Sequence, residues 1–210
     1  MLSLDFAELT PRERYKLLCA TVMPRPIALV TTRSPDGVIN AAPFSFFNVF
    51  SEDPALVVLG LQHTPTNSPK DTTRNIAASG EFVVNLVDED LAEAMNICAI
   101  DFPPEESEVD AARLALSPGI AIGVPHITQA PFALECRRTV SLAFGPHREL
   151  LIGEVLTLHA RAGLIDREKL RVEADSYRPI GRLFGDSYAR QNYRFELKRQ
   201  THAEWRQQNE

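Results

Sequence analysis

Two short stretches concentrate the residue types that bind ligands. The first, Asn40-Ala41-Ala42-Pro43-Phe44-Ser45-Phe46-Phe47-Asn48, follows a β-rich run and mixes small residues, a proline, hydroxyl and amide groups and three phenylalanines. A flat ring system wants apolar faces plus a few placed hydrogen bonds, and small residues let the backbone come close enough to make them. The same composition also suits a strand end with core aromatics and a polar turn. The second stretch, Lys70-Asp71-Thr72-Thr73-Arg74, falls at a predicted helix start. Free backbone N–H groups, hydroxyls and cations in a first helical turn make an anion site. The competing reading is simple helix capping, with Lys70 and Arg74 in solvent.

Other chemistries find little support. No G-x-G-x-x-G follows a strand, and G-x-x-x-x-G-K-[ST] and G-x-S-x-G are absent, so no Rossmann site, P-loop or hydrolase elbow is encoded. His63, His126, His147, His159 and His202 are scattered without metal-ligand spacing, and no metal site is expected. Cys19, Cys98 and Cys136 show no C-x-x-C and are expected to be reduced, buried thiols. With 22 Lys and Arg against 28 Asp and Glu, the net charge of -6 gives no footprint for nucleic acid. The N-terminus lacks signal-peptide character and no apolar run is long enough to span a membrane. A cytoplasmic protein with no membrane partner is the expectation.

The elements that must position these stretches are legible from capping and periodicity. Thr10-Pro11-Arg12-Glu13 is a capping box ahead of an amphipathic helix that ends before Pro24. Residues 27–32 read as a strand, Asp36-Gly37 as a hairpin turn, and residues 38–43 as the return strand. Residues 55–61 are apolar throughout and predict a strand buried on both faces. Ser68 then caps a second helix, with Pro69 at its first position, running to Ser79 with Gly80 as its stop. A strand over residues 81–87 leads to Asp88, which caps a helix containing Leu91, Ala94, Met95 and Ile97. Residues 102–117 are irregular and acidic, with a short helix around 109–114. Two long strands follow at 132–144 and 150–160, and Gly153 in the second marks a bulge or a close backbone approach. A last strand is predicted at 193–197, with a frayed tail after Arg199. Strands dominate without regular β-α alternation. That pattern predicts a mainly β (α+β) fold, a closed or partly closed antiparallel barrel with peripheral helices.

At both stretches the sequence resembles the flavin reductase-like family. The matching phrases run from Val22-Met23-Pro24-Arg25-Pro26-Ile27 through Asn40–Asn48, Lys70–Ile76 and Glu81–Leu86, to Pro179-Ile180-Gly181-Arg182-Leu183 with Gly185 and Tyr188. The resemblance implies a single FMN-binding domain over residues 1–210, with its core at about 9–197, folded as a split β-barrel of antiparallel Greek-key type. It implies that Thr31 and Thr32 sit beside the FMN phosphate or ribityl chain. Asn40, Ala41, Ala42, Pro43, Phe44 and Ser45 would line the ring edge, and Phe47 and Asn48 would continue that wall. Lys70, Asp71 and Thr72 match the phosphate side, and Arg25 and Tyr188 are further contacts.

The activity so implied is hydride transfer from NAD(P)H to FMN, which requires no protein acid, base or nucleophile, so no catalytic residue is named. The alternative is an FMN-binding electron-transfer or ligand-sensing protein without nicotinamide turnover. The resemblance further implies a homodimer with the flavin near the subunit interface, and a monooxygenase as a recipient of the reduced flavin.

Overall fold

In the computed structural model, residues 1–209 are described, the side chain of Asn209 excepted. Thr10 opens helix α1 (Pro11–Thr21) as its sequence dictates. Its Oγ1 accepts the Glu13 N–H at 3.3 Å, while Glu13 Oε2 accepts the Thr10 N–H at 2.8 Å. Strands β1 (Ala28–Arg33) and β2 (Ile39–Phe44) form the predicted hairpin, with Gly37 at φ +90° supplying the turn. Strand β3 (Phe47–Glu52) is an element that the sequence does not announce, because Asn48, Ser51 and Glu52 break any apolar alternation. Then come β4 (Ala55–Gln62), α2 (Asp71–Ser79), β5 (Glu81–Leu86), α3 (Ala92–Ile97) and α4 (Glu108–Ala111). A short pair, β6 (Leu116–Ser117) and β7 (His126–Ile127), precedes the long β8 (Phe132–Ala143) and β9 (Arg148–Ala160). Two more short pairs, β10 (Ile165–Asp166) with β11 (Arg171–Val172) and β12 (Ile180–Arg182) with β13 (Tyr188–Arg190), lead to α5 (His202–Asn209).

Seven strands make one antiparallel sheet in the order β2-β1-β5-β8-β9-β4-β3. Its two edge strands, β2 and β3, are consecutive in the chain and are joined by only Ser45 and Phe46. A twisted sheet whose edges are tied by two residues must curl until those edges meet. Among the described residues no ladder joins β2 to β3, so the barrel closes through the chain and stays split along that seam. The architecture is the split barrel expected from the resemblance.

Val30, Val57, Leu59, Leu61, Phe82, Val84 and Leu151 fill the barrel. Ile27, Leu29, Val87, Leu91, Met95 and Val109 form a second core under α3 and α4. The apolar run of β4 predicts burial on both faces, but only one is buried. Val57, Leu59 and Leu61 point inward, whereas Leu56, Val58 and Gly60 are half-exposed on the outside. Gly153 fits the close-approach reading: a Cβ there would run into Phe82 inside the barrel, with Cε1 at 2.8 Å. Its partner across the ladder, Arg138, sits between two register shifts in β8.

Several boundaries differ from the sequence expectation: the short helix is Glu108–Ala111, Asp88 caps a single 3-10 turn at Glu89–Leu91 ahead of α3, and the second helix, the last strand and the tail also shift. Helix α2 starts at Asp71, with Lys70 as its N-cap. Ser68 is instead used in the preceding turn, where its carbonyl accepts the Thr64 N–H at 2.8 Å and its N–H donates to Thr64 Oγ1 at 3.0 Å. The last strand forms at Tyr188–Arg190, where β12 offers an edge, and residues 193–197 join no ladder. In the tail after Arg199, expected to fray, His202–Asn209 form a helix, because Thr201 and Glu204 close a second capping box. Among the described residues no helix is long and apolar enough to cross a membrane.

Candidate functional site

The seam of the barrel opens into a cleft of about 260 Å³ between the β2–β3 corner and the N-terminus of α2. Asn40, Ala42, Pro43, Phe44 and Ser45 line it from β2 and the corner, and Lys70, Asp71 and Thr72 line it from the helix. The two stretches singled out by composition, thirty residues apart in sequence, therefore face one space.

One end of this cleft presents unpaired backbone donors and two cations. The first-turn N–H groups of Asp71, Thr72 and Thr73 have no intrahelical acceptor, and the cap residue, Lys70, provides no side-chain one. The Asp71 carboxylate pairs with Arg74. Lys70 Nζ lies 2.8 Å from Asp101 Oδ1, an exposed ion pair of little strength that leaves the ammonium free to exchange partners. Arg148 adds a second cation to the cleft wall, with its guanidinium 5.4 Å from the centroid of the Phe46 ring.

Between the helix and the corner, Asn40 is fixed from three sides. Its Nδ2 donates to Glu108 Oε1 at 2.8 Å, and its Oδ1 accepts from Thr72 Oγ1 at 2.9 Å and Thr32 Oγ1 at 3.3 Å. Glu108 Oε2 also accepts the Ala41 N–H at 3.0 Å, which ties α4 to β2. Burial pushes the Glu108 carboxyl up, and its hydrogen bonds from Ala41 and Asn40 oppose that shift. The neighbouring Cys98 thiol is pushed up to about 12, by burial first and by Glu108 second, so it stays protonated and is no nucleophile.

The remaining residues named from the sequence lie behind or beside the cleft. Thr32 is buried and acts through Asn40, while Thr31 donates to the Pro125 carbonyl at 2.8 Å on the far side of β1. The Ala41 side chain is buried in the second core and Phe47 in the barrel. Asn48 is exposed on β3, and its Oδ1 accepts the Val49 N–H at 2.8 Å. Arg25 is a buried latch: it donates to the carbonyls of Cys19 at 2.6 Å, Val22 at 3.0 Å and Leu183 at 2.9 Å, and touches Ser45 Oγ at 3.4 Å. Tyr188 lines a second depression that shares the rim Tyr15, Pro43, Phe44, Ser45 and Ala99 with the cleft, and Arg182 stacks on its ring at 4.5 Å.

Tyr15, Gly60, Gln62, Asp101, Phe102, Glu108 and Arg148 also line the cleft and carry no signal of it in the sequence, whereas Phe46 lies within the first stretch. The stretch around residues 102–108 carries no motif.

The model of the flavin reductase-like domain matches residues 20–181. The 2-nitrobenzoate 2-nitroreductase of Pseudomonas fluorescens superposes with a TM-score of 0.89 at 42% identity, over 96% of this chain and 98% of that one. Nitrilotriacetate monooxygenase component B of Bacillus cereus gives 0.89 at 37% identity, over 94% and 98%. A Shewanella frigidimarina protein with a split barrel domain gives 0.77 at 17% identity over 92% and 96%, a likeness of fold alone. The matched span runs from the end of α1 through both cleft-lining stretches to β12, and on that ground the chain belongs to the flavin reductase-like family and is a flavin-related oxidoreductase.

Proposed function

We propose that the protein is an NAD(P)H-dependent FMN reductase, working as a homodimer, that delivers reduced flavin to a partner monooxygenase. The observation that carries this reading is the uncapped first turn of α2 opening on the same cleft as the backbone of Ala42, Pro43, Phe44 and Ser45. A group with a phosphate at one end and a flat ring at the other fits that pairing. Orphan N–H groups, Lys70 and Arg148 suit the anion, and the small, apolar corner suits the ring. Bound FMN would supply the redox chemistry, accepting a hydride from the nicotinamide and passing electrons on.

The chain's own contribution is binding and exclusion. Asn40, held by Glu108, Thr32 and Thr72, keeps β2 and the helix start at a fixed spacing. Tyr15, Phe46 and Phe102 wall the cleft against water. No side chain is assigned as acid or base.

Consumption of NADH or NADPH with added FMN, read beside the visible spectrum of the purified protein, tests the reading. No consumption above the buffer blank overturns it, and retained flavin that turns over only with another reduced protein supports the electron-transfer alternative. Lys70→Glu separates phosphate from ring: FMN affinity should fall at least tenfold, about 1.4 kcal/mol, while riboflavin affinity hardly changes. Equal losses for both ligands would remove the helix start from the site.

A second reading, reduction of a nitroaromatic acid, is favoured by the depression beyond the shared rim, where Arg182 and Tyr188 offer a cation beside an aromatic face. NAD(P)H consumption that requires 2-nitrobenzoate as well as FMN would favour it.

A further inference from the structure

Residues 191–200 leave β13 as extended chain and reach α5 without joining any ladder. Along them Tyr193, Phe195 and Leu197 alternate with Arg194, Glu196 and Lys198. The three apolar side chains are 92%, 78% and 84% exposed. Alternation in an extended chain puts all three on one side. Single exposed apolar residues are ordinary, but an aligned stripe on an arm marks a contact surface.

The chain also carries the surface such an arm needs. On β8, β9 and β4, Val140 lies opposite Ile152 and Ile152 opposite Val58; next to them Leu142 lies opposite Leu150 and Leu150 opposite Gly60. Leu151 and Leu59, between these rows, are buried inside the barrel, so the rows face outward. All five aliphatic side chains are half-buried or exposed.

The chain's own arm does not reach them. Arg194 anchors it to the carbonyls of Ala174 and Tyr177, and Tyr177 packs edge-on against Phe132 at 5.0 Å between centroids, at the start of β8. Val140 lies eight residues further along that strand, roughly 26 Å away, whereas Leu197 is three residues past the anchor and reaches at most about 10 Å.

We infer that the arm of one chain packs across the outer face of β4, β8 and β9 of a second copy, and that the exchange is reciprocal about a two-fold axis. Tyr193 and Phe195 bury about 150–250 Å² each. With Leu197 and the faces they cover, two arms remove on the order of 2,000 Å² from water, enough for a stable interface. The second row ends at Gly60 and Phe46, which line the candidate cleft, so the partner abuts the site. This assignment deepens the dimeric reading above and does not depend on the redox one.

Sedimentation velocity on the full chain, on Phe195→Ser/Leu197→Ser and on Leu142→Lys tests it, with circular dichroism on each and FMN titration reported separately. The full chain should sediment as two copies, and each variant should dissociate at least tenfold more readily with its spectrum unchanged. Mixing Val140→Cys with Phe195→Cys chains should give a disulfide-linked pair even if Leu142→Lys misfolds, since the native cysteines are buried. A single-copy mass for the full chain overturns the proposal. So does a dimer whose affinity ignores the arm substitutions, which would leave dimerisation standing and remove the arm from it. Failure of the mixed disulfide overturns it as well.

Discussion

Glu108 shows how one side chain couples the two halves of the site. Its carboxylate holds Asn40 and the Ala41 N–H, and through Asn40 it reaches Thr72 in the first turn of the helix that lines the cleft. Burial raises its pKa above the ordinary 4.5, so the folded protein holds this proton more tightly than the unfolded chain does. The contribution of Glu108 is therefore fully present below pH 4.5 and is lost as pH rises through the folded value. Glu108→Gln has no proton to lose, so the melting temperature of the wild type relative to this variant should fall as pH is raised above 4.5. A difference independent of pH between 4 and 8 would mean that the carboxyl titrates as in the unfolded chain. The residue was illegible in the sequence because its role comes from what lies across the cleft from it, not from any local spacing.

At the scale of elements, the barrel depends on where β8 and β9 bend. Gly153 admits the Phe82 ring into the space a Cβ would take, opposite the register shifts of β8. Gly153→Ala should destabilise the fold by roughly 2 kcal/mol, as overpacking in a core with no room to relax, while FMN affinity stays within about twofold because the residue is far from the cleft wall. Urea denaturation with the two-state slope unchanged measures it, and wild-type stability would show that the ring moves aside freely. Glu135, fully buried on the same strand, accepts the N–H groups of Ile120 at 2.7 Å, Ala121 at 2.7 Å and Ile122 at 3.0 Å, and so fastens the loop before β7 to the sheet. Here local chemistry was readable in part: a glycine inside a strand announced a close approach, but not what approached.

For the molecule as a whole, the cleft exists only because the sheet curls far enough to bring its ends together. A ligand that binds there and not to the unfolded chain must stabilise the entire barrel. FMN at one hundred times its Kd should raise unfolding free energy by about 2.7 kcal/mol, with riboflavin giving less at the same concentration for want of the phosphate. Calorimetry in the two ligands reads this directly. An FMN concentration series with no change in melting temperature would mean that the folded barrel does not bind it.

Features whose causes are local were legible in the chain. The capping box at Thr10, the Asp36-Gly37 turn, the helix stop at Gly80 and the β-rich run at 27–32 follow from each residue's own backbone and its near neighbours. So were the two stretches that meet at the cleft, because small, aromatic and helix-start residues have the right chemistry wherever they lie. Long-range packing is what makes β3 a strand, leaves β4 one wet face, and gives residues 193–197 no edge among the described residues. Strand pairing and burial depend on partners distant in sequence, and a two-residue link at Ser45 and Phe46 turned those distant partners into one split barrel with a cleft at its seam.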